Sequence, residues 1–197
     1  KCPIGSVQRI LDAVDALLKQ DSKIRILGEM KPNEPMDMAY LPTPGHFLAL
    51  CYKTIDPSRC GVLIESAHSI LAGLDPSDDM ANAIWHGKLW GVHLNDQNGL
   101  KYDQDKTFGA VDIRRAFNTI WVLERGGYDG YIGLDVKPMR TTKPEHQLKH
   151  LINSIWHNGN RAHIDGENES VCTRSKSVAN NGVHTLKSSG KCQWITG

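Results

Sequence analysis

Gly61-Val62-Leu63-Ile64-Glu65-Ser66-Ala67-His68 decides how this sequence folds. An apolar run ends in a carboxylate, and an imidazole follows three residues on. Burying a carboxylate at the end of a core strand is unfavourable unless a cation sits beside it. Glutamate and histidine are both good ligands for a divalent metal, which would supply that cation. The pattern then repeats along the chain. Lys23-Ile24-Arg25-Ile26-Leu27-Gly28 ends in Glu29, Leu89-Trp90-Gly91-Val92 in His93, and Tyr131-Ile132-Gly133-Leu134 in Asp135. Four strand-like runs thus deliver a metal-ligating side chain at or near the C-terminal end.

Helical periodicity fills the intervals between these runs. Val7, Ile10, Leu11, Val14, Leu17 and Leu18 share one face and predict a helix over Ser6–Gln20. Further helices are expected over Gly45–Ile55, briefly over Ala67–Leu74, and from a cap at Asp75 to about Lys88 with Pro76 in the first turn. Val111–Arg125 is helical and stopped by Gly126-Gly127; a last helix covers Pro144–Trp156. The strands are Lys23–Glu29, Gly61–Glu65, Leu89–Asn95 and Tyr131–Val136. Met30–Pro44, with Pro32, Pro35, Pro42 and Pro44, reads as a stiff functional loop, and Asp96–Ala110 as a polar one. Trp85 and Trp90 read as core, and His46, His86, His146 and His150 as surface or packing residues.

Four alternations of strand and helix imply a parallel sheet with helical crossovers, so the fold class is α/β. An open doubly wound sheet and a (β/α)8 TIM-type barrel both fit. Ligands at the ends of several successive strands favour the barrel, whose chemistry sits at that face, over an open sheet, where ligands gather at one switch point. No GxGxxG or P-loop follows any strand. Four units make half a barrel, so residues 1–156 are expected to be the last four βα units of one. Residues 157–197, rich in Asn, Ser, Gly and Lys without period, are expected to form a polar tail lacking order.

A formal net charge of +1 speaks against nucleic-acid and membrane-surface partners, which call for a basic patch. No run is long enough to span a membrane, and no signal peptide is recognisable. Cys2, Cys51, Cys60, Cys172 and Cys192 are odd in number and widely spaced. They read as reduced thiols of a cytoplasmic protein, not as a disulfide framework or a zinc site.

Two constellations of side chains follow. Glu29, Glu65, His93 and Asp135 would enter one mouth from four neighbouring strands. Any one alone is more often a helix cap or a loop start; four in succession favour a site. His68, with Asp103 and Asp105 spaced to chelate one ion, would share Glu65 in a second site. Five carboxylates in one mouth cannot all ionise without cations. Two divalent ions would offset them, helped by Lys31 and Lys137, each two residues beyond a strand-end acid. Oxygen donors with two imidazoles and no thiolate suit Mn2+ first, with Mg2+ or Co2+ as alternatives.

These residues carry a resemblance. Gly28-Glu29-Met30-Lys31-Pro32-Asn33-Glu34-Pro35, Glu65-Ser66-Ala67-His68, Asp103-Gln104-Asp105 and Leu134-Asp135-Val136-Lys137 follow in the order seen in xylose-isomerase-like barrels. Within that group, Pro35-Met36-Asp37-Met38-Ala39-Tyr40 and Gly91-Val92-His93-Leu94-Asn95-Asp96-Gln97 are similar to the bacterial L-rhamnose isomerases, and so is His93 where xylose isomerases carry an aspartate. The resemblance covers about residues 5–155 and stops before the tail. It implies that Glu29, Glu65, His93 and Asp135 hold a structural metal, and that Glu65, His68, Asp103 and Asp105 hold a catalytic one. It further implies that Lys31 binds the carbonyl oxygen of an open-chain sugar, with His68 beside the substrate. The implied reaction is conversion of L-rhamnose to L-rhamnulose. Hydrogen would pass between C1 and C2 as a hydride, or through an enediol with Asp135 taking the proton. A homo-oligomeric full-length parent is also implied. A sugar 3-epimerase on the same barrel, or an inactive half-barrel needing a partner half, are the other readings.

Overall fold

The computed structural model describes residues 2–34, 38–99, 101–138, 142–159 and 184–185. Four parallel strands form its centre: β1 (Ile26–Glu29), β2 (Cys60–Glu65), β3 (Leu89–Leu94) and β4 (Tyr131–Leu134). They lie side by side in chain order, with Glu65 opposite His93 and His93 opposite Gly133. Strand order decides between the two architectures. In a doubly wound sheet the order reverses and helices cover both faces, whereas right-handed crossovers between strands added always on the same side keep the helices on one face. Four parallel strands in unreversed order are the arrangement of an arc of a TIM-type barrel.

The helices are α1 (Pro3–Gln20), α2 (Pro44–Cys51), α3 (Ser66–Leu71), α4 (Pro76–Trp85), α5 (Ile113–Arg125) and α6 (Pro144–Gly159). Asp75 and Asp112 cap α4 and α5 by accepting from backbone N–H groups of the first turn. The outward face of the sheet, with Val62, Ile64, Val92, Leu94 and Ile132, packs against Phe47, Leu48, Met80, Ala83, Ala116, Ile120 and Leu123 in one core. Gly28 is a glycine because a side chain there would enter the ring of Phe47. The inward face alternates with this one and carries Leu27 and Glu29, Leu63 and Glu65, Gly91 and His93. Leu27 and Tyr131 on that face remain 42% and 44% exposed.

Several boundaries depart from the sequence reading. The second helix begins at Pro44 and stops at Cys51, where Thr54 Oγ1 and Lys53 N–H take up terminal carbonyls. The fourth ends at Trp85, not near Lys88, because Gly87 turns the chain with a φ of 64°. Trp85 is not core: it is 76% exposed, on the face of α4 opposite buried Met80 and Ala83. Trp90 occupies the bulge between the Val62 and Leu63 pairings and stacks under the Arg25 guanidinium at 3.8 Å. The polar loop 96–110 is tied by an antiparallel bridge between Asp96 and Lys106. Within the tail, His184 and Thr185 pair antiparallel with β4; residues 160–183 and 186–197, with Cys172 and Cys192, lie outside the described residues. Met36 lies outside them too, and Met38 is exposed.

Candidate metal centre

Strand register gathers the first group of side chains. Glu29, Glu65, His93 and Asp135 each offer a ligand atom, and the four atoms lie within 4.8 Å of one another. His93 Nδ1 is central, at 3.2 Å from Glu29 Oε1, 3.8 Å from Glu65 Oε2 and 3.9 Å from Asp135 Oδ2. Gly133, the cross-strand neighbour of His93, leaves the ring its room, since a Cβ there would sit 3.0 Å from it.

Glu65, His68 and Asp103 form a second group within the same span, so Glu65 belongs to both. His68 Nε2 is 3.2 Å from Glu65 Oε1 and 3.2 Å from Asp103 Oδ2. It reaches both because α3 starts directly after β2, turning position 68 back over the strand end. Lys31 Nζ lies 2.9 Å from Asp103 and 3.2 Å from Glu34. Asp105 stands outside both groups: its Oδ2 is 3.0 Å from Lys137 Nζ and its Oδ1 accepts from Asn95. The Lys137 side chain is two-thirds exposed and engages the rim of the mouth through that one carboxylate.

Packed this closely, the charges of the two groups shift one another's pKa values. Glu65 is 2% exposed, and burial pushes its carboxyl up to about 7 despite the neighbouring histidines. Glu29 and then Glu65 drive the His93 imidazole up to about 10. Burial disfavours charge on His68, but Asp103 and Glu65 outweigh it and raise its pKa. Burial likewise opposes the Asp103 carboxylate, yet His68 and Lys31 hold it well below the usual range. Protons on two imidazoles thus do the work of cations in keeping the acids together. The donor set fits a divalent ion in their place: three carboxylates with one imidazole in the first group, two with one in the second. Asp103 Oδ1 is buried with no hydrogen-bond partner, a spare ligand lone pair on the same residue.

Two features of this centre escaped the sequence reading. Asn95, 1% exposed, donates to Glu65 Oε1 at 2.7 Å, to the Asp135 carbonyl at 2.9 Å and to Asp105 Oδ1 at 3.3 Å. Its own Oδ1 accepts from Ala67 N–H, so one amide fixes β2, α3, the polar loop and the end of β4. Glu34 accepts from Asp103 N–H at 3.1 Å while contacting Lys31. Glu34 and Asp105 both adopt left-handed backbone, with φ of 54° and 44°. Non-glycine residues hold that conformation only when their surroundings impose it, and such positions gather at functional sites.

Comparison with known proteins gives the centre its context. Residues 3–155 match the xylose isomerase-like TIM barrel family. A xylose isomerase of Streptomyces lividans is 42% identical over 140 residues, which is 69% of this chain and 35% of that enzyme; the chain spans about a third of the length of this relative. Among solved structures, the apo form of 3-keto-D-glucoside 4-epimerase YcjR from E. coli superposes with a TM-score of 0.58 at 11% identity, over 79% of this chain and 56% of that one. D-psicose 3-epimerase, solved in the presence of D-fructose, gives 0.55 at 12% identity, over 80% and 54%. A D-tagatose 3-epimerase-like protein gives 0.55 at 20% identity, over 77% and 55%. At these identities the structures speak for the fold alone.

Proposed function

Because the chain belongs to the xylose isomerase-like TIM barrel family, we propose that it supplies the metal centre of a cytoplasmic aldose–ketose sugar isomerase, with L-rhamnose as substrate and Mn2+ as the preferred ion. The observation that carries this reading is the pair of ligand groups sharing Glu65 at the ends of consecutive strands. Glu29, Glu65, His93 and Asp135 would hold one ion, and Glu65, His68 and Asp103 the other, with Asp105 completing the second set once it leaves Lys137. When bound, such ions polarise sugar oxygens and lower the pKa of coordinated water.

The chain's own residues supply the rest. Lys31, held between Asp103 and Glu34, keeps its proton: burial works against the charge, but Asp103 raises its pKa. Its ammonium would donate to the sugar carbonyl oxygen, where negative charge develops. Asp135, with a side chain 54% exposed, is the most accessible acid of the first group. It would take the proton from C2 of the aldose and return it to C1. His68, in the second group beside the shared Glu65, would orient the bound sugar.

Turnover of L-rhamnose and of D-xylose with added Mn2+, run in D2O, tests this. Ketose carrying solvent deuterium at C1 supports the Asp135 route; ketose without it means hydride transfer. No ketose from either aldose, together with inversion at C3 when a ketose is supplied as substrate, would favour a 3-epimerase. That second reading draws on one observation, the three-ligand second group beside a complete first group. The same proposal has the isolated chain bind metal yet turn over poorly, because Leu27 and Tyr131 expose the inner face that a complete barrel covers. Adding a partner chain that covers this face would then raise the rate.

A further inference from the structure

At the opposite end of β2 from Glu65, two sulfurs meet. Cys51 closes α2 and Cys60 opens β2; both are fully buried, and their Sγ atoms lie 3.0 Å apart. That is about 1 Å beyond a disulfide bond length of about 2.05 Å. We propose that Cys51 and Cys60 are a redox modification site, a dithiol that hydrogen peroxide converts reversibly to a disulfide.

Hydrogen bonds anchor the segment between the two sulfurs. Arg59, the residue before Cys60, donates to the carbonyls of Leu18, Asp21 and Ile24 at 2.8–3.0 Å, and its Nε donates to Asp56. Thr54 Oγ1 donates to the Cys51 carbonyl. Closing the bond requires the two Sγ atoms to approach by about 1 Å. The Cys51 thiol donates to Cys60 Sγ, which raises the first thiol and lowers the second. Lys88, folded under the same segment with its ammonium on the Pro57 carbonyl, also favours a Cys60 thiolate. The hydrogen bond from Cys51 and the nearby Lys88 ammonium both favour Cys60 as the attacking sulfur.

The chemistry balances. The Cys60 thiolate attacks one peroxide oxygen; an S–O bond forms, the O–O bond breaks, and hydroxide leaves to become water with the thiol's proton. Cys51 sulfur then attacks the Cys60 sulfenic acid. An S–S bond forms, the S–O bond breaks, and the Cys51 proton departs with the second water. Two thiols are oxidised and one peroxide is reduced to two waters. Glu65 lies five residues along the strand, about 16 Å away, so the metal ligands stay where they are.

Intact-mass analysis and peptide mapping of the protein, before and after hydrogen peroxide, test the site. Trypsin releases Cys51 within residues 26–53 and Cys60 within residues 60–88. The expected result is a cross-link between these two peptides, a loss of two titratable thiols, and full recovery with dithiothreitol. A Cys51→Ser variant should stop at a Cys60 sulfenic acid that dimedone traps. Peroxide treatment that oxidises Cys2 while leaving both buried thiols free would overturn the proposal. So would separate sulfinic acids at positions 51 and 60. If Cys51→Ser fails to fold, the wild-type map decides alone.

Discussion

Replacing Glu65 with glutamine should make the metal-free protein more stable and abolish its response to metal. Glu65 is almost fully buried, and its carboxyl is raised from 4.5 to about 7, net of the favourable histidines around it. For an acid, a raised native pKa penalises the fold above that pKa and has no effect below the unfolded value. The ionised side chain therefore costs about 3 kcal/mol at pH 8 and nothing at pH 4. Gln keeps the acceptor for Asn95 and mimics the protonated acid. Glu65→Gln should then raise the melting temperature at pH 8 in chelator by roughly 6–12 °C, given a chain of this size. The gain should vanish near pH 4. Added Mn2+ should stabilise the wild type by mass action and leave the variant unmoved. Thermal melts at the two pH values, each with and without Mn2+, read all four outcomes. A variant less stable than wild type at pH 8 in chelator, or still stabilised by Mn2+, would refute the reasoning.

Other substitutions separate the parts. Asn95→Ala removes the donor shared by Glu65, Asp105 and the Asp135 carbonyl; it should lower stability by about 2–4 kcal/mol and weaken metal binding about 10–100-fold, read by denaturant titration and calorimetry. Lys31→Met should leave metal content unchanged while lowering kcat by about 10^2; loss of metal would make Lys31 a scaffold residue instead. Asp79 is pushed up by burial, so its ionised form opposes folding. Asp79→Asn should be more stable than wild type at pH 7 and equal to it at about pH 3, where both states are protonated; equal urea midpoints at both pH values would contradict this.

How much of this was legible in the sequence follows from how each feature arises. Glu29, Glu65, His93 and Asp135 could be found because strand ends in a barrel share one mouth, and an apolar run marks each strand. The helix faces were legible for the same local reason. Asn95 was not, since a polar residue just past a strand looks like any loop start until the β2–β3 register sets it against Ser66 and Glu65. Asp105 read as a partner of Asp103 by spacing; the two carboxylates do interact, but Asp105 also pairs with Lys137 and Asn95 and stays outside the two ligand groups. Trp85 read as core, whereas helix phase puts it on the solvent side of α4. The Cys51–Cys60 contact depends on how α2 docks against β2, which no spacing of nine residues encodes.

The most direct test of the shared-ligand centre is the metal stoichiometry of the protein after equilibration with Mn2+, measured by native mass spectrometry alongside the Glu65→Gln variant. Two ions per chain in the wild type and none in the variant are expected. A single ion in the wild type, or ions retained by the variant, would contradict a centre built around Glu65.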